Sequence, residues 1–302
     1  MYIINHTKEL KKDIDYLEVS NTSKTSYAKI YLNQGASLQE LTLSGHELIK
    51  DMSPLTYDNT YTSAILFPFA NRIKDGSYEF EGKTYQFDVN EKVLNNALHG
   101  LVYDKTFKLI SQETSEEYAS VTLIYDEVKT TLGFPYTYSI KLDYILTQSG
   151  LALNVEIKNT DSKTFPFTIG WHPYFLSSDL FESHVDFNSD KKIVFDERNI
   201  TTGVNDFKKN GNFEILDKFL DDCFVLNSKE ILFHTPKYNL ELSSSEKDSF
   251  LQLYTPPHKN TIAIEPTTGV SDSFNNGIGL KTLQPYETYT IGWNLKTNDK
   301  KL

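Results

Sequence analysis

SYEFEGKTYQFDV, residues 77–89, carries Tyr78 and Phe80 at alternate positions on one arm and Tyr85 and Phe87 on the other, around Glu81-Gly82-Lys83. Apolar side chains at every second position are the signature of a half-buried strand, and a glycine between two such runs suits a tight turn. The stretch predicts a β-hairpin. Outward from it the same period recurs. YTYSIKLDYILTQSGLALNVEIKN (136–159) predicts a second hairpin, joined through Gln148-Ser149-Gly150. KTFKLIS (105–111), YASVTLIYD (118–126), KEILFHT (229–235), SFLQLYT (249–255) and NTIAIEP (260–266) have the same character. Helical periodicity is confined to short pieces such as the stretch around Gly211 to Leu220. Turn signals are spread along the chain, with no internal repeat and no low-complexity linker. Many short strands at regular spacing predict one large all-β domain over residues 1–302, an antiparallel sandwich or barrel.

Composition agrees. Nineteen Tyr and nineteen Phe stand against two Trp, and such residues favour pleated, half-buried surfaces. They also suit sugar binding, because an aromatic face can stack on the C–H face of a pyranose. A net charge of −11 argues against nucleic acid as a partner. Only two of the 30 basic residues are arginine, Arg72 and Arg198. The single cysteine, Cys223, excludes an intramolecular disulfide and a Cys-based zinc site. The opening residues MYIINHTKELKKDIDYLEVS contain no apolar run of signal-peptide length, and no stretch has the length of a membrane span. A soluble cytoplasmic chain, monomer or homodimer, is expected, with no membrane partner.

Four stretches depart from plain strand patterning. FPFANRI (67–73) sets Asn71 and Arg72 after a Phe-Pro-Phe run, where proline points to a strand end or bulge and arginine can offer its fork of donors. An isolated arginine more often pairs a surface carboxylate. NNALHGLVYD (95–104) puts His99 beside Gly100, which permits a close backbone approach; a lone histidine is more often structural. FTIGWHPYF (167–175) surrounds His172 with Trp171, Pro173, Tyr174 and Phe175. Aromatic burial lowers an imidazole pKa and a nearby carboxylate raises it, so His172 is a candidate proton donor or acceptor. LDDCF (220–224) and AIEPTTGVSD (263–272) bring acids. Glu265 follows Ile262-Ala263-Ile264 and precedes Pro266, so a strand is expected to end on this carboxylate. A solvated loop acid is the commoner case for a single Glu. The histidines lack metal-site spacing, so neither metal nor cofactor is expected.

Taken in order, FPFANRI, N-x-x-LHG, GWHPYF, LDDCF, IEPTTGVSD and the closing LQPYETYTIGW resemble the motif series of the aldose 1-epimerases, from about Leu66 to Trp293. GWHPYF resembles the branch with Trp-His-Pro. The resemblance implies a galactose mutarotase-like β-supersandwich with an open cleft, a free sugar as substrate and no cofactor. It implies Glu265 as general base and His172 as general acid, on opposite sides of C1–O5. His99 and Arg72 would hold the ring and anomeric oxygens. Asp221 would bind sugar hydroxyls, with Asn71, Trp171 and Tyr174 completing the binding set. Strand alternation lets only one of Asp221 and Asp222 face the cleft, and the spacing to Phe224 selects Asp221. Two other readings remain open: a hexose-6-phosphate mutarotase, which calls for a cationic clamp, and a non-catalytic carbohydrate-binding sandwich.

Overall fold

Strands Ser77–Phe80 and Lys83–Gln86 pair antiparallel in the computed structural model, which describes residues 1–9, 13–208, 212–217 and 219–299. Tyr78 lies opposite Tyr85, and the Tyr78 ring stacks on both Tyr85 and Phe87, with centroids 5.1 and 5.3 Å apart. The turn is one residue shorter than the sequence predicts. Glu81 and Gly82 have φ of 49° and 71°, and Lys83 already belongs to the returning strand. Two consecutive positive φ values suit a type I′ turn, whose twist matches that of the strands it joins.

The second hairpin pairs Tyr138–Thr147 with Gly150–Asn159, buried and half-buried side chains alternating along the first arm. It lies inside a nine-stranded antiparallel sheet. In spatial order this sheet runs Lys108–Thr114, Tyr118–Glu127, Tyr138–Thr147, Gly150–Asn159, Thr288–Asp299, Tyr238–Ser244, Glu230–His234, His184–Asp186 and Phe213–Glu214. A second large sheet runs Thr201–Asp206, Lys191–Phe195, Asp221–Leu226, Ser249–Tyr254, Thr261–Thr267, Gly170–Trp171 and Ile65–Leu66, with Tyr174–Leu176 also paired to Thr261–Thr267. The first 49 residues supply a five-stranded meander ending in His46–Ile49. Trp171 of the second large sheet stacks on Trp293 of the first, ring centroids 6.0 Å apart. One apolar cluster runs from Tyr2 to Leu295 and draws on all three sheets. The architecture is a large antiparallel β-sandwich.

Three local expectations change. The strand expected from Lys105 begins at Lys108, because Phe107 is buried and its N–H donates to the Leu32 carbonyl, 2.8 Å away. Around Gly211 to Leu220 the described residues hold a two-residue strand, Phe213–Glu214, and a turn; Gly211 and Lys218 lie outside the described residues. The strand carrying Glu265 continues through Pro266 to Thr267, with Pro266 opposite Leu251. On the edge in question Ile264 and Thr268 donate to the carbonyls of Pro173 and Ile169. The Pro266 nitrogen falls between them, where the neighbouring strand is interrupted between Trp171 and Tyr174, so little pairing is lost. The described helices are two single turns, Tyr57–Thr60 and Ser273–Asn276, and no helix among the described residues is long and apolar enough to cross a membrane.

Candidate active site

Three neighbouring strands of the second sheet fix the acids. Asp221 pairs Tyr254 and Cys223 pairs Gln252, while Gln252 in turn pairs Glu265. Cross-strand partners share a face, so Asp221, Gln252, Tyr254 and Glu265 stand together on one side. Asp222 turns away and pairs with Lys192, 2.5 Å distant. The short pairing of Arg72–Lys74 with Asn96–Leu98 sets Arg72 opposite Leu98, one residue before His99. His99 has φ of 63° and donates its backbone N–H to the Asn71 carbonyl at 2.8 Å. Gly100 follows at φ 76°, and a Cβ there would lie 2.2 Å from the Phe67 carbonyl oxygen. Only glycine tolerates both the angle and the approach. Asp272, from the IEPTTGVSD stretch, accepts the Lys74 N–H at 3.0 Å while its own N–H donates to the Arg72 carbonyl at 2.7 Å. Segments about two hundred positions apart thus brace one another.

The result is an open cleft of about 220 Å³ whose walls include Asn71, Arg72, His99, His172, Tyr174, Asp221 and Glu265. Of the residues expected at a site, Trp171 is the exception: it is fully buried and packs on Trp293. Successive strand side chains point to opposite faces, so with His172 in the cleft Trp171 belongs to the core. His172 Nε2 stands 3.3 Å from Glu265 Oε1, with both side chains nearly buried. The two are side by side rather than opposed. The His99 ring packs edge-on against His172 and Tyr61, centroids 4.9 Å from each, and Tyr174 lies 5.0 Å from His172 on another side. Nδ1 of both histidines has no hydrogen-bond partner among the described residues.

Several wall residues escape the sequence reading. Glu91 takes the Arg72 fork in bidentate fashion, Nε to both oxygens at 3.1 and 3.0 Å and one terminal nitrogen at 2.8 Å. The other terminal nitrogen donates to Asn71 Oδ1 at 3.0 Å. Arginine has five N–H donors, so one remains on each terminal nitrogen. Gln252 donates to Asp221 Oδ1 at 2.7 Å, and Asn199 to Oδ2 at 3.2 Å. Its signal is an amide amid the apolar residues of SFLQLYT. Tyr254, on the same face, is a further wall. Glu91 has no local signal, being one acid among many.

Burial dominates the electrostatics. It pushes Glu265 well above the usual carboxylate range, helped by Asp221 and opposed by Arg72. It pulls His172 down to about 4, with Arg72 adding to the effect. His99 falls well below its ordinary value through burial, then through His172 and Arg72. Asp221 is raised by burial, which the Arg72 charge only partly offsets. The lift that a neighbouring carboxylate can give His172 is outweighed. A buried pair so shifted favours carboxylic acid plus neutral imidazole over the ion pair.

Among the described residues, one set has metal-ligand chemistry: His184, Asp186 and His234, whose ligand atoms lie within 4.8 Å of one another on the nine-stranded sheet. Strand pairing across some fifty residues makes the set, which spacing along the chain conceals. With its amide turned so that nitrogen faces Asp186, Asn212 donates to both carboxylate oxygens and accepts from His184. Hydrogen bonding alone accounts for this cluster.

A sequence model of the family described as Aldose 1-epimerase matches residues 17–296. The uncharacterized protein YihR of Escherichia coli strain K12 is 26% identical over 281 residues, spanning 89% of this chain and 90% of that protein. The maltose epimerase of Levilactobacillus brevis is 28% identical over 207 residues, 64% of this chain and 59% of the relative. Among solved structures, a galactose mutarotase-like protein from Clostridium acetobutylicum superposes with a TM-score of 0.86 over 99% of both chains at 22% identity, a likeness of fold.

Proposed function

The chain belongs to the aldose 1-epimerase family, a family of isomerases, and from that premise we propose that it interconverts the α and β anomers of a free hexose by acid/base ring opening. The observation that carries this reading is the buried pair of Glu265 and His172 at 3.3 Å, in a cleft whose other walls are mostly hydrogen-bonding groups. Mutarotation needs one proton removed from the anomeric hydroxyl O1 and one delivered to the ring oxygen O5. Both oxygens are bonded to C1, so a base and an acid standing side by side can each reach one. Glu265 as carboxylate takes the O1 proton, and His172 as imidazolium gives its Nε2 proton to O5. The C1–O5 bond then breaks, the aldehyde turns about C1–C2, and reclosure on its other face reverses both transfers. Ring opening leaves Glu265 as acid and His172 neutral, the forms that burial favours. A carboxylate with raised pKa is a stronger base and an imidazole with lowered pKa a stronger acid, so the shifts help the transfer itself.

The remaining groups bind and orient. Arg72 offers its two free N–H donors, and His99, neutral in its buried setting, can donate or accept without adding charge. Asp221 accepts from sugar hydroxyls, held in orientation by Gln252 and Asn199. Tyr174 supplies an aromatic wall. None of these steps calls on a metal or cofactor. Two observations favour a neutral sugar over a hexose 6-phosphate. Arg72 is the only permanent cation among the cleft residues, beside Glu91, Asp221 and Glu265, and half of its fork is already spent on Glu91. Polarimetry on freshly dissolved α-D-glucose and α-D-galactose tests the proposal. Faster decay of optical rotation is expected; tight sugar binding with no faster decay would leave a sugar-binding module instead.

A further inference from the structure

Arg198, the second of the chain's two arginines, does not wall the cleft. It sits in the turn between strands Lys191–Phe195 and Thr201–Asp206, where Asp196 Oδ1 accepts the backbone N–H of both Arg198 and Ile200 at 2.9 Å. Its guanidinium reaches the segment that leads into His99. Nε donates to the Leu94 carbonyl at 2.9 Å, and one terminal nitrogen donates to the Asn95 carbonyl, Asn96 Oδ1 and Asp75 Oδ1 at 2.8, 3.1 and 2.8 Å. Asn96 is fully buried and relays this anchor. Its amide nitrogen donates to Glu91 Oε2 at 2.8 Å and to the Arg198 carbonyl at 3.1 Å, so both N–H groups and the oxygen are engaged. Turning the amide over would set its oxygen against a carboxylate and a carbonyl, and its N–H groups against a cation. One orientation is therefore allowed, and it holds the Glu91 carboxylate that grips the Arg72 fork. The residue after Arg198 reaches Asp221. Asn199, at φ 57°, donates to Asp221 Oδ2 at 3.2 Å, and its own carbonyl accepts from Ser271 Oγ at 2.7 Å.

We propose that Arg198 is a positioning residue for sugar binding. Through Asn96 and Glu91 it orients Arg72, and through the turn that carries Asn199 it orients Asp221, while lying outside the cleft itself. The proposal rests on the sugar-binding roles read for Arg72 and Asp221. A buried polar relay transmits orientation because leaving any member unpaired is costly. Glu265 and His172 are held by other means. Glu265 is fixed by its register opposite Gln252, and His172 by backbone bonds to Ala64 and Ser63 at 3.1 and 2.8 Å. Arg198 therefore acts on binding and not on the proton transfers.

The test follows optical rotation of glucose and galactose with the parent and with Arg198→Met, which keeps the apolar stem and deletes every donor. KM is expected to rise about five- to tenfold with kcat held within twofold. Because the chain has only two arginines, Arg198→Met leaves a single arginine Nε–H signal in ¹H–¹⁵N NMR spectra, that of Arg72. This signal should move from its place in the parent and exchange with water several times faster, a change that a merely structural role for Arg198 would not produce. KM within twofold of the parent, a loss carried by kcat, or an unmoved Arg72 signal would each overturn the proposal. Should Arg198→Met not fold, Asn199→Gly accepts the left-handed φ and removes the link to Asp221 alone. Its KM should rise about threefold, and an unchanged KM overturns the proposal. Should the parent convert no sugar at all, the reading of the cleft fails instead. The Arg72 signal then decides the positioning role by itself: moved in Arg198→Met it sustains that role, unmoved it overturns it.

Discussion

At the scale of single residues, the proton inventory of Glu265 and His172 governs the proposed reaction. The reactive form, carboxylate plus imidazolium, carries the same number of protons as the uncharged form that burial favours. Acid removes it by protonating both groups, a step governed by the lowered His172 value of about 4. Alkali removes it by stripping both, governed by the raised value of Glu265. The kcat/KM profile should therefore be bell-shaped, with its acid limb near 4 and its alkaline limb above the ordinary carboxylate range. This reverses the assignment natural from free side chains, in which Glu265 would set the rising limb and His172 the falling one. Proton NMR of the His172 ring checks it; titration near or above about 6.5 would restore the ordinary order. Glu265→Gln and His172→Asn should each cost roughly two to four orders of magnitude in kcat while sugar still binds, measured by polarimetry and calorimetry. If Glu265→Gln kept turnover within a few-fold of the parent, Asp221 would become the candidate base. Stability should move the other way. A raised folded-state pKa means the Glu265 contribution is intact below the unfolded value and is lost as pH rises through the folded one. Glu265→Gln, neutral throughout, should unfold at higher temperature than the parent at pH 8, with the gap closing toward pH 4. Asp221→Asn should raise KM about tenfold, whereas Asp222→Asn, whose parent carboxylate faces Lys192, should leave KM within twofold.

At the scale of elements, strand register places Asp221 and Glu265, while a turn places His99. His99 hangs on a left-handed step that is completed by Gly100 under the Phe67 carbonyl. Gly82 has a similar φ, 71°, but open space where a Cβ would go. Gly82→Ala should therefore cost about 1 kcal/mol, the strain of the angle alone, and leave kcat unchanged. Gly100→Ala adds a steric conflict with backbone and should cost about 1–3 kcal/mol or more, with kcat falling as His99 shifts. Denaturant midpoints and initial rates for the two variants separate these effects. Equal costs with intact turnover in both would show that the Phe67 contact is not what holds His99.

At the scale of the whole molecule, charge bears on the proposed choice of a neutral sugar. A chain of net charge −11 repels a sugar phosphate at long range, and the cleft offers only Arg72 against three carboxylates. The kcat/KM for glucose 6-phosphate should be at least tenfold below that of the best neutral aldose, and the ratio should narrow as salt screens the repulsion. A phosphate preferred over every neutral aldose would overturn the neutral-sugar reading. One apolar cluster spans residues from Tyr2 to Leu295, which supports treating the sandwich as a single folding unit.

The fold class was legible in the chain because strand alternation is a local property. Tyr78 and Phe80, or the regular burial from Tyr138 to Thr147, follow from a period of two that any window exposes. Legible too were the residues gathered in the cleft, since Arg72, His99, His172, Asp221 and Glu265 each sit in a motif of an ordered series. What only the tertiary structure decided depends on which distant strands lie side by side, and on how deeply. That Trp171 faces the core, that Pro266 sits inside a strand, and that Gln252 and Glu91 hold Asp221 and Arg72 are matters of register between segments far apart in sequence. The direction in which Glu265 and His172 shift is likewise a consequence of burial. Burial belongs to the assembled sandwich, not to any residue's neighbours along the chain.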